Sequence, residues 1–294
     1  MEEFSEVKKA VIPVAGMGTR MLPATKAIPK ELLPIGLKPI IQHVVEEALE
    51  AGIEEFIFIT RSGKEAIENH FDRNFELEKK IEASSNKNFL NSIKDIIPKN
   101  IKISSVRQPI NLGLGDAILC AEHLIKDEDF AVLLPDEFLL KKQKDCDLKK
   151  MIKNYFVTRK YQILTEKVSN SEVSNFGILR FHEPKKTFPK DIKSLFEKPK
   201  KSLDSESFRI IGRYILPKDI FSFIKETTFD KNNEIQLTNS INLFLKKKKL
   251  SFEGFLSSSE VYDCGSEKGY IGANIAFNSR DKKLKKYMEK ILLN

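Results

Sequence analysis

The chain has 294 residues, with 50 Lys+Arg against 42 Asp+Glu and 41% hydrophobic residues. A net charge of +8 within a 31% charged composition describes a mixed, solvated surface, so a nucleic-acid partner is not expected. The apolar content excludes a wholly disordered chain.

The acidic start, MEEFSEVKK, lacks the pattern of a signal peptide, and no apolar run approaches the roughly 18 residues of a membrane span. A cytoplasmic protein without a membrane partner is expected. Ala10–Ala15 is a short apolar run stopped by glycine, the pattern of a buried strand. Ile41, Val44, Val45, Ala48 and Leu49 then fall on one helical face, with Pro39 before it and Gly52 after it. Phe56–Thr60 reads as a strand, Lys64 to Ala83 as a helix, Ile101–Arg107 as a strand, Gly115–Ile125 as a helix and Phe130–Leu134 as a buried strand. This alternation predicts an α/β fold, a Rossmann-like and mostly parallel (mixed) sheet with helices on both faces. In the less regular second half, strands are expected at Ile163–Val168, Gly177–Phe181, Arg209–Leu216 and Ser251–Phe255. Helices are expected at Lys218–Lys225, Ile235–Lys247, Lys268–Asn278 and from 280 to the end. Lys246–Lys249 reads as charge complementing a helix C-terminus. Ser84–Lys99 and Glu183–Ser207, polar and rich in Lys and Ser, read as surface loops or helical insertions. Cys120, Cys146 and Cys264 stand at no metal-ligand spacing.

The first strand runs into Gly16-Met17-Gly18-Thr19-Arg20, followed by Pro23, Thr25, Lys26, Pro29, Lys30 and Glu31. Glycines at a strand end let the backbone approach an anion. Met21 occupies the third glycine position of a dinucleotide fingerprint, and Gly-Lys-Ser/Thr is absent, so the two standard phosphate loops are excluded. Arg20, Lys26 and Lys30 in a proline-stiffened stretch nevertheless favour phosphate binding.

These residues resemble the signature of the sugar-phosphate nucleotidylyltransferases. The resemblance continues in order through Glu68–Asp72, Val106-Arg107-Gln108, Gly113-Leu114-Gly115, Leu134-Pro135-Asp136, Phe196-Glu197-Lys198-Pro199, Ile211-Gly212-Arg213-Tyr214, Glu234–Thr238 and Tyr262-Asp263-Cys264-Gly265. It implies a single nucleotidylyltransferase domain over 1–294, with a nucleotide-binding half at about 8–140, a sugar-phosphate-binding half at about 141–279 and a C-terminal helix at 280–294. The implied reaction is uridylyl transfer from UTP to glucose 1-phosphate, giving UDP-glucose and pyrophosphate, in a homo-oligomer (dimer or tetramer).

The resemblance also assigns roles. Arg20, Lys30 and Lys198 are the catalytic cations, the last a residue that in so lysine-rich a chain would by itself read as a surface group. Asp136 and Asp263 would hold Mg²⁺, which favours oxygen ligands; alone, Asp136 reads equally well as a turn cap and Asp263 as a helix cap. Glu137 is either a supporting group or solvent-facing. Ala15, Gly16, Gly18, Thr19, Glu31, Gln108 and Gly113 would bind the nucleotide, and Gly177, Glu197 and Gly212 the sugar. Gln108 offers an amide donor and acceptor side by side to the imide edge of uracil or thymine, which it cannot tell apart. The four histidines, His43, His70, His123 and His182, form no acid–base or metal pattern. A thymidylyltransferase and a non-catalytic nucleotide-sugar sensor are the competing readings. Two departures from the family stand out: Asp116 where a His is common, and Asn232-Asn233 in place of a glycine-bearing pair.

Overall fold

Lys9–Pro13 (β1) is buried along nearly its whole length, which is why it reads as an uninterrupted apolar run and why it can take parallel neighbours on both edges. The computed structural model describes residues 6–83, 90, 93, 94, 96–182, 187–202, 204–248 and 251–292. In it β1 pairs in parallel with Glu55–Thr60 (β4) and Phe130–Leu133 (β6), and β4 pairs in parallel with Lys102–Arg107 (β5). Between these lie a two-residue ribbon, Pro34–Ile35 (β2) with Lys38–Pro39 (β3), and the helix Ile40–Ala51 (α1). The apolar face of α1 is buried, and Gly52, at φ 94, caps it by donating its N–H to the carbonyls of Ala48 and Leu49.

The second half continues the same sheet with mixed directions. Ser207–Leu216 (β11), buried throughout, runs antiparallel to β6 and to Tyr161–Val168 (β8). Beyond β8 come Phe252–Leu256 (β12), Lys190–Glu197 (β10) and Gly177–Phe181 (β9), giving the order β5-β4-β1-β6-β11-β8-β12-β10-β9. β11 changes partners along its length. Phe208 and Arg209 pair with β9, whereas Arg213–Leu216 pair with β6, and the register with β8 shifts between Ile210 and Tyr214. The sheet therefore forks at Ile211-Gly212.

A separate antiparallel ribbon pairs Glu137–Leu140 (β7) with Glu260–Asp263 (β13), with Glu137 opposite Asp263. It rests on a small apolar cluster that includes Leu33, Ile35, Phe138 and Cys264.

Several expectations are corrected. Lys64–Ala83 is two helices, Glu65–Phe71 (α2) and Phe75–Glu82 (α3), because Asn74 leaves the helix and its side chain accepts from the N–H of Leu77 as a cap. Gly115–Ile125 likewise divides into Leu114–Leu119 (α4) and Glu122–Ile125 (α5). Within 183–207, Lys190–Glu197 is not a loop or helical insertion but β10, a strand of the main sheet. Asp147–Thr158 (α6) was not anticipated, although Leu148, Met151, Ile152 and Tyr155 are buried at helical spacing. The helices Ile220–Glu226 (α7), Leu237–Lys247 (α8), Glu267–Asn278 (α9) and Lys282–Leu292 (α10) fall where expected. Much of 84–99, with 183–186 and 249, lies outside the described residues. No helix among the described residues is long and apolar enough to cross a membrane.

Candidate active site

The fork in the sheet opens into a cavity of about 530 Å³. Ala15, Gly16, Arg20, Lys30, Glu31, Gln108 and Gly113, from the strand ends of the parallel half and the loops that follow them, line it on one side. The opposite wall carries Gly177, Glu197, Lys198 and Gly212, and Asp136 and Asp263 close the end between them. Gly18 and Thr19, expected to bind nucleotide, are not in the lining. Gly18 shapes the turn, its carbonyl accepting from the Thr25 hydroxyl at 2.7 Å. Lys26 is exposed outside the cavity as well.

The two aspartates meet because β7 and β13 pair: the N–H of Cys264 donates to the carbonyl of Asp136 at 2.8 Å. Asp263 is not the helix cap, since the Ser266 side chain performs that role for α9. Arg20 stands between the two carboxylates, with Nη1 3.1 Å from Asp263 Oδ2 and Nη2 3.9 Å from Asp136 Oδ2. Lys30 Nζ donates to Asp136 Oδ2 at 2.6 Å. Burial pushes the Asp136 carboxyl up, but the charges of Lys30 and Arg20 outweigh it and hold it below the ordinary carboxylate value. Burial likewise pushes Lys30 down, and Asp136 and Glu31 more than restore it. Both groups are thus charged at neutral pH. Among the described residues no three His, Cys, Asp or Glu gather as a metal cage. Two carboxylates and no softer donor fit a hard divalent ion that completes its shell with water and ligand phosphates.

Glu137 is buried and supportive, not solvent-facing: it accepts from Arg209 Nη1 at 3.2 Å and from the N–H of Gly212. Burial raises its carboxyl to about 7 despite Arg209. A Cβ at Gly212 would lie 2.4 Å from Leu134 Cβ and 2.7 Å from Glu137 Oε2, so only glycine fits where β11 passes the Asp136 loop. Arg213, next to it, is fully buried. It holds Glu47 bidentately and donates to the carbonyls of Leu134 at 3.0 Å and Glu137 at 3.0 Å, which fixes the loop bearing Asp136. Sequence reasoning missed Arg209 and Arg213 as site residues. The scarcity of arginine, nine among 50 basic residues, was the available signal.

Glu31 is buried. Its Oε2 accepts from Lys64 Nζ at 2.7 Å, while Oε1 has no partner among the described residues. Gln108 donates from Nε2 to Asp116 Oδ2 at 2.7 Å and to the carbonyl of Gly113 at 3.3 Å. The amide therefore does not present a donor and an acceptor together, as its composition suggested, because its N–H groups are already engaged. Gly113, at φ 94, adopts a backbone that other residues rarely take.

On the opposite wall Glu197 accepts a weak bond from Thr238 at 3.4 Å, and burial raises its carboxyl, offset in part by Lys198. Lys198 sits at φ 44, a left-handed backbone costing of order 1 kcal/mol. Its ammonium lies 3.8 Å from Glu197 in a side chain 62% exposed at the cavity rim. Asn233 takes the φ of 60 that the missing glycine would have supplied, and Asp230 Oδ1 pins that turn by accepting from the N–H groups of Asn232 and Glu234. His70 is bonded to Gln42 at 3.0 Å and His43 to the carbonyl of Ile35 at 3.1 Å, which accounts for both as structural residues.

Opposed charges thus line a cavity at the carboxyl ends of parallel strands, the place where α/β sheets hold ligands. The family model described as nucleotidyl transferase matches residues 9–280, and the chain belongs to that family. Similar curated proteins include UTP–glucose-1-phosphate uridylyltransferase of Haemophilus influenzae, 40% identical over 97% of this chain and 98% of that one. The enzyme of the same name from Escherichia coli is 40% identical over 94% and 92% of the two chains. Among solved structures, UTP-bound UGPase from Acinetobacter baumannii superimposes with a TM-score of 0.89 at 38% identity, covering 98% of this chain and 99% of that one. A UDP-glucose pyrophosphorylase complexed with UDP-glucose gives 0.84 at 39% identity, covering 94% of this chain and all of that one.

Proposed function

We propose that this chain transfers a uridylyl group from UTP to glucose 1-phosphate, releasing pyrophosphate and UDP-glucose. The observation that carries the reading is the placement of Asp136 and Asp263 on either side of Arg20, with Lys30 on Asp136, at the end of a cavity whose walls hold Gln108 and Glu197. The relatives that support it act, by name, as UTP–glucose-1-phosphate uridylyltransferases.

A sugar phosphate, with a second pKa of about 6, is largely dianionic at neutral pH and needs no general base. One of its oxygens attacks the α-phosphorus, and the bond to the pyrophosphate oxygen breaks. Arg20 and Lys30 would neutralise the triphosphate and the departing pyrophosphate, exchanging their carboxylate partners for phosphate oxygens. Lys198, exposed at the rim, would meet the sugar phosphate. Glu197 would accept from sugar hydroxyls, and Gly177 and Gly212 would let the backbone approach the ring. Mg²⁺ on Asp136 and Asp263 would supply charge neutralisation and alignment of the phosphates. The nucleotide would occupy the half of the cleft built by residues 8–140 and the sugar phosphate the half built by 141–279. A cytoplasmic homo-oligomer is part of the same proposal, supported by exposed Ile271, Ile275, Leu284 and Ile291 on α9 and α10.

The test is pyrophosphate release over UTP, dTTP, CTP and GTP against several sugar 1-phosphates with Mg²⁺. UTP with glucose 1-phosphate should give the highest kcat/KM. Faster turnover of dTTP would replace the substrate named here, and tight UDP-glucose binding with no pyrophosphate release would make the chain a sensor instead.

A further inference from the structure

We infer that Asp116 is a positioning residue that sets base choice: it draws the amide hydrogens of Gln108 away from the cleft, so that only the amide oxygen meets the base. The inference rests on the uridylyl reading and concerns one of the two positions at which this chain departs from the family pattern. Gln108 follows β5, its own N–H donating to the carbonyl of Thr60 at 2.8 Å. It is 4% exposed and lines the cavity beside Ala15 and Gly113.

The orientation of an amide must be assigned from its partners, and here the partners leave one choice. The carboxylate of Asp116, at 2.7 Å, and the carbonyl of Gly113, at 3.3 Å, are both acceptors, so the group facing them is the NH₂ and both its hydrogens are taken. No described residue donates to Oε1. The Gly113 bond is long, so Asp116 is the stronger anchor. It stands in the first turn of α4, which is itself tied down by the N–H of Gly115 donating to the carbonyl of Ile235 at 2.8 Å.

A lone acceptor selects a base whose ring nitrogen carries a hydrogen. Uracil and thymine do; cytosine presents a bare N3 there and would set two acceptors face to face. Without Asp116 the amide is free to turn and offer NH₂ to that nitrogen.

The experiment compares UTP and CTP turnover, each with glucose 1-phosphate, for the full chain and for Asp116→Leu, Asp116→Asn, Gln108→Ala and the Gln108→Ala/Asp116→Leu pair, with a melting temperature for each. Asp116→Leu should raise KM for UTP about tenfold, move kcat by less than about threefold and lower the UTP:CTP ratio of kcat/KM about tenfold. Asp116→Asn, whose amide oxygen accepts the same bond, should keep the ratio within about threefold of the parent, and Asp116→Leu should change nothing further once Gln108 is alanine. If Asp116→Leu does not fold, Asp116→Ser, too short to reach Nε2, replaces it. A ratio unchanged within about twofold, or an equal change in the Gln108→Ala background, would overturn the inference. Failure of the parent chain to use UTP would instead sink the functional reading beneath it.

Discussion

At the end of the cavity Arg20 and Lys30 pair directly with Asp263 and Asp136, whereas Arg209 and Arg213 are buried within β11. The Arg20 side chain is 62% exposed and that of Arg213 is 0% exposed. The exposed Arg20 pairs are ones that water can reach, worth little and easily parted when a ligand brings its own charge. A sealed pair cannot lose one member without leaving the other stranded in low dielectric. On the proposed reading the difference separates working charges from scaffold charges. The four groups at the cavity end are a preassembled set of two cations and two carboxylates that phosphates would enter, while the buried arginines hold Glu47, Glu137 and the loop carrying Asp136 in place.

The comparison breaks if the two sets respond alike to substitution. Asp136→Asn, which keeps the side-chain shape, should lower pyrophosphate release by about 10³-fold while the melting temperature moves by only a few degrees; retained turnover with Mg²⁺ would remove Asp136 from the mechanism. Arg213→Met should do the reverse. It strands the Glu47 carboxylate and unties the carbonyls of Leu134 and Glu137, costing about 3–5 kcal/mol in urea unfolding. A loss below about 1 kcal/mol would show the buried pair to be worth no more than a surface pair.

The smallest effect sharpens the scaffold side by pH. Asp147, buried at the start of α6, accepts from the hydroxyls of Ser257 and Ser258 and from the N–H groups of Ser258 and Ser259. Burial pushes its carboxyl up, but these donors bring it net below the ordinary value. A depressed folded pKa means that the stabilisation is complete above the unfolded value of about 3.9 and is lost as pH falls through the folded one. Asp147→Asn should therefore cost about 1 kcal/mol at pH 7 and flatten the fall in stability below about pH 4. A parallel acid limb in both proteins would refute that source.

The parallel half was legible because its strands are buried on both faces and so spell continuous apolar runs: β1, β4 and β6 were each found within a residue or two of their ends. β10 was not, although it lies in the same sheet. Its register shifts between Ile192 and Ser194, so buried Ile192 and Leu195 stand three residues apart and the alternation of a strand is lost. Arg209 and Arg213 were overlooked for a related reason, since a buried arginine looks like a surface one until its acceptors are known. Asp136, Asp263, Lys30, Glu197 and Gln108, assigned from motifs, line the cavity, whereas Gly18 and Thr19, assigned with them, stand outside its lining.

What the sequence alone determined is local. A strand ending in glycine, a helix closed by Gly52, and a set of charges of the right kinds are all written in neighbouring residues. Only the folded chain decided that Asp263 lies against Asp136, through the pairing of β7 with β13, and that the Gln108 amide turns its hydrogens to Asp116. Both depend on backbone hydrogen bonds between distant segments, whose register no short stretch of sequence contains.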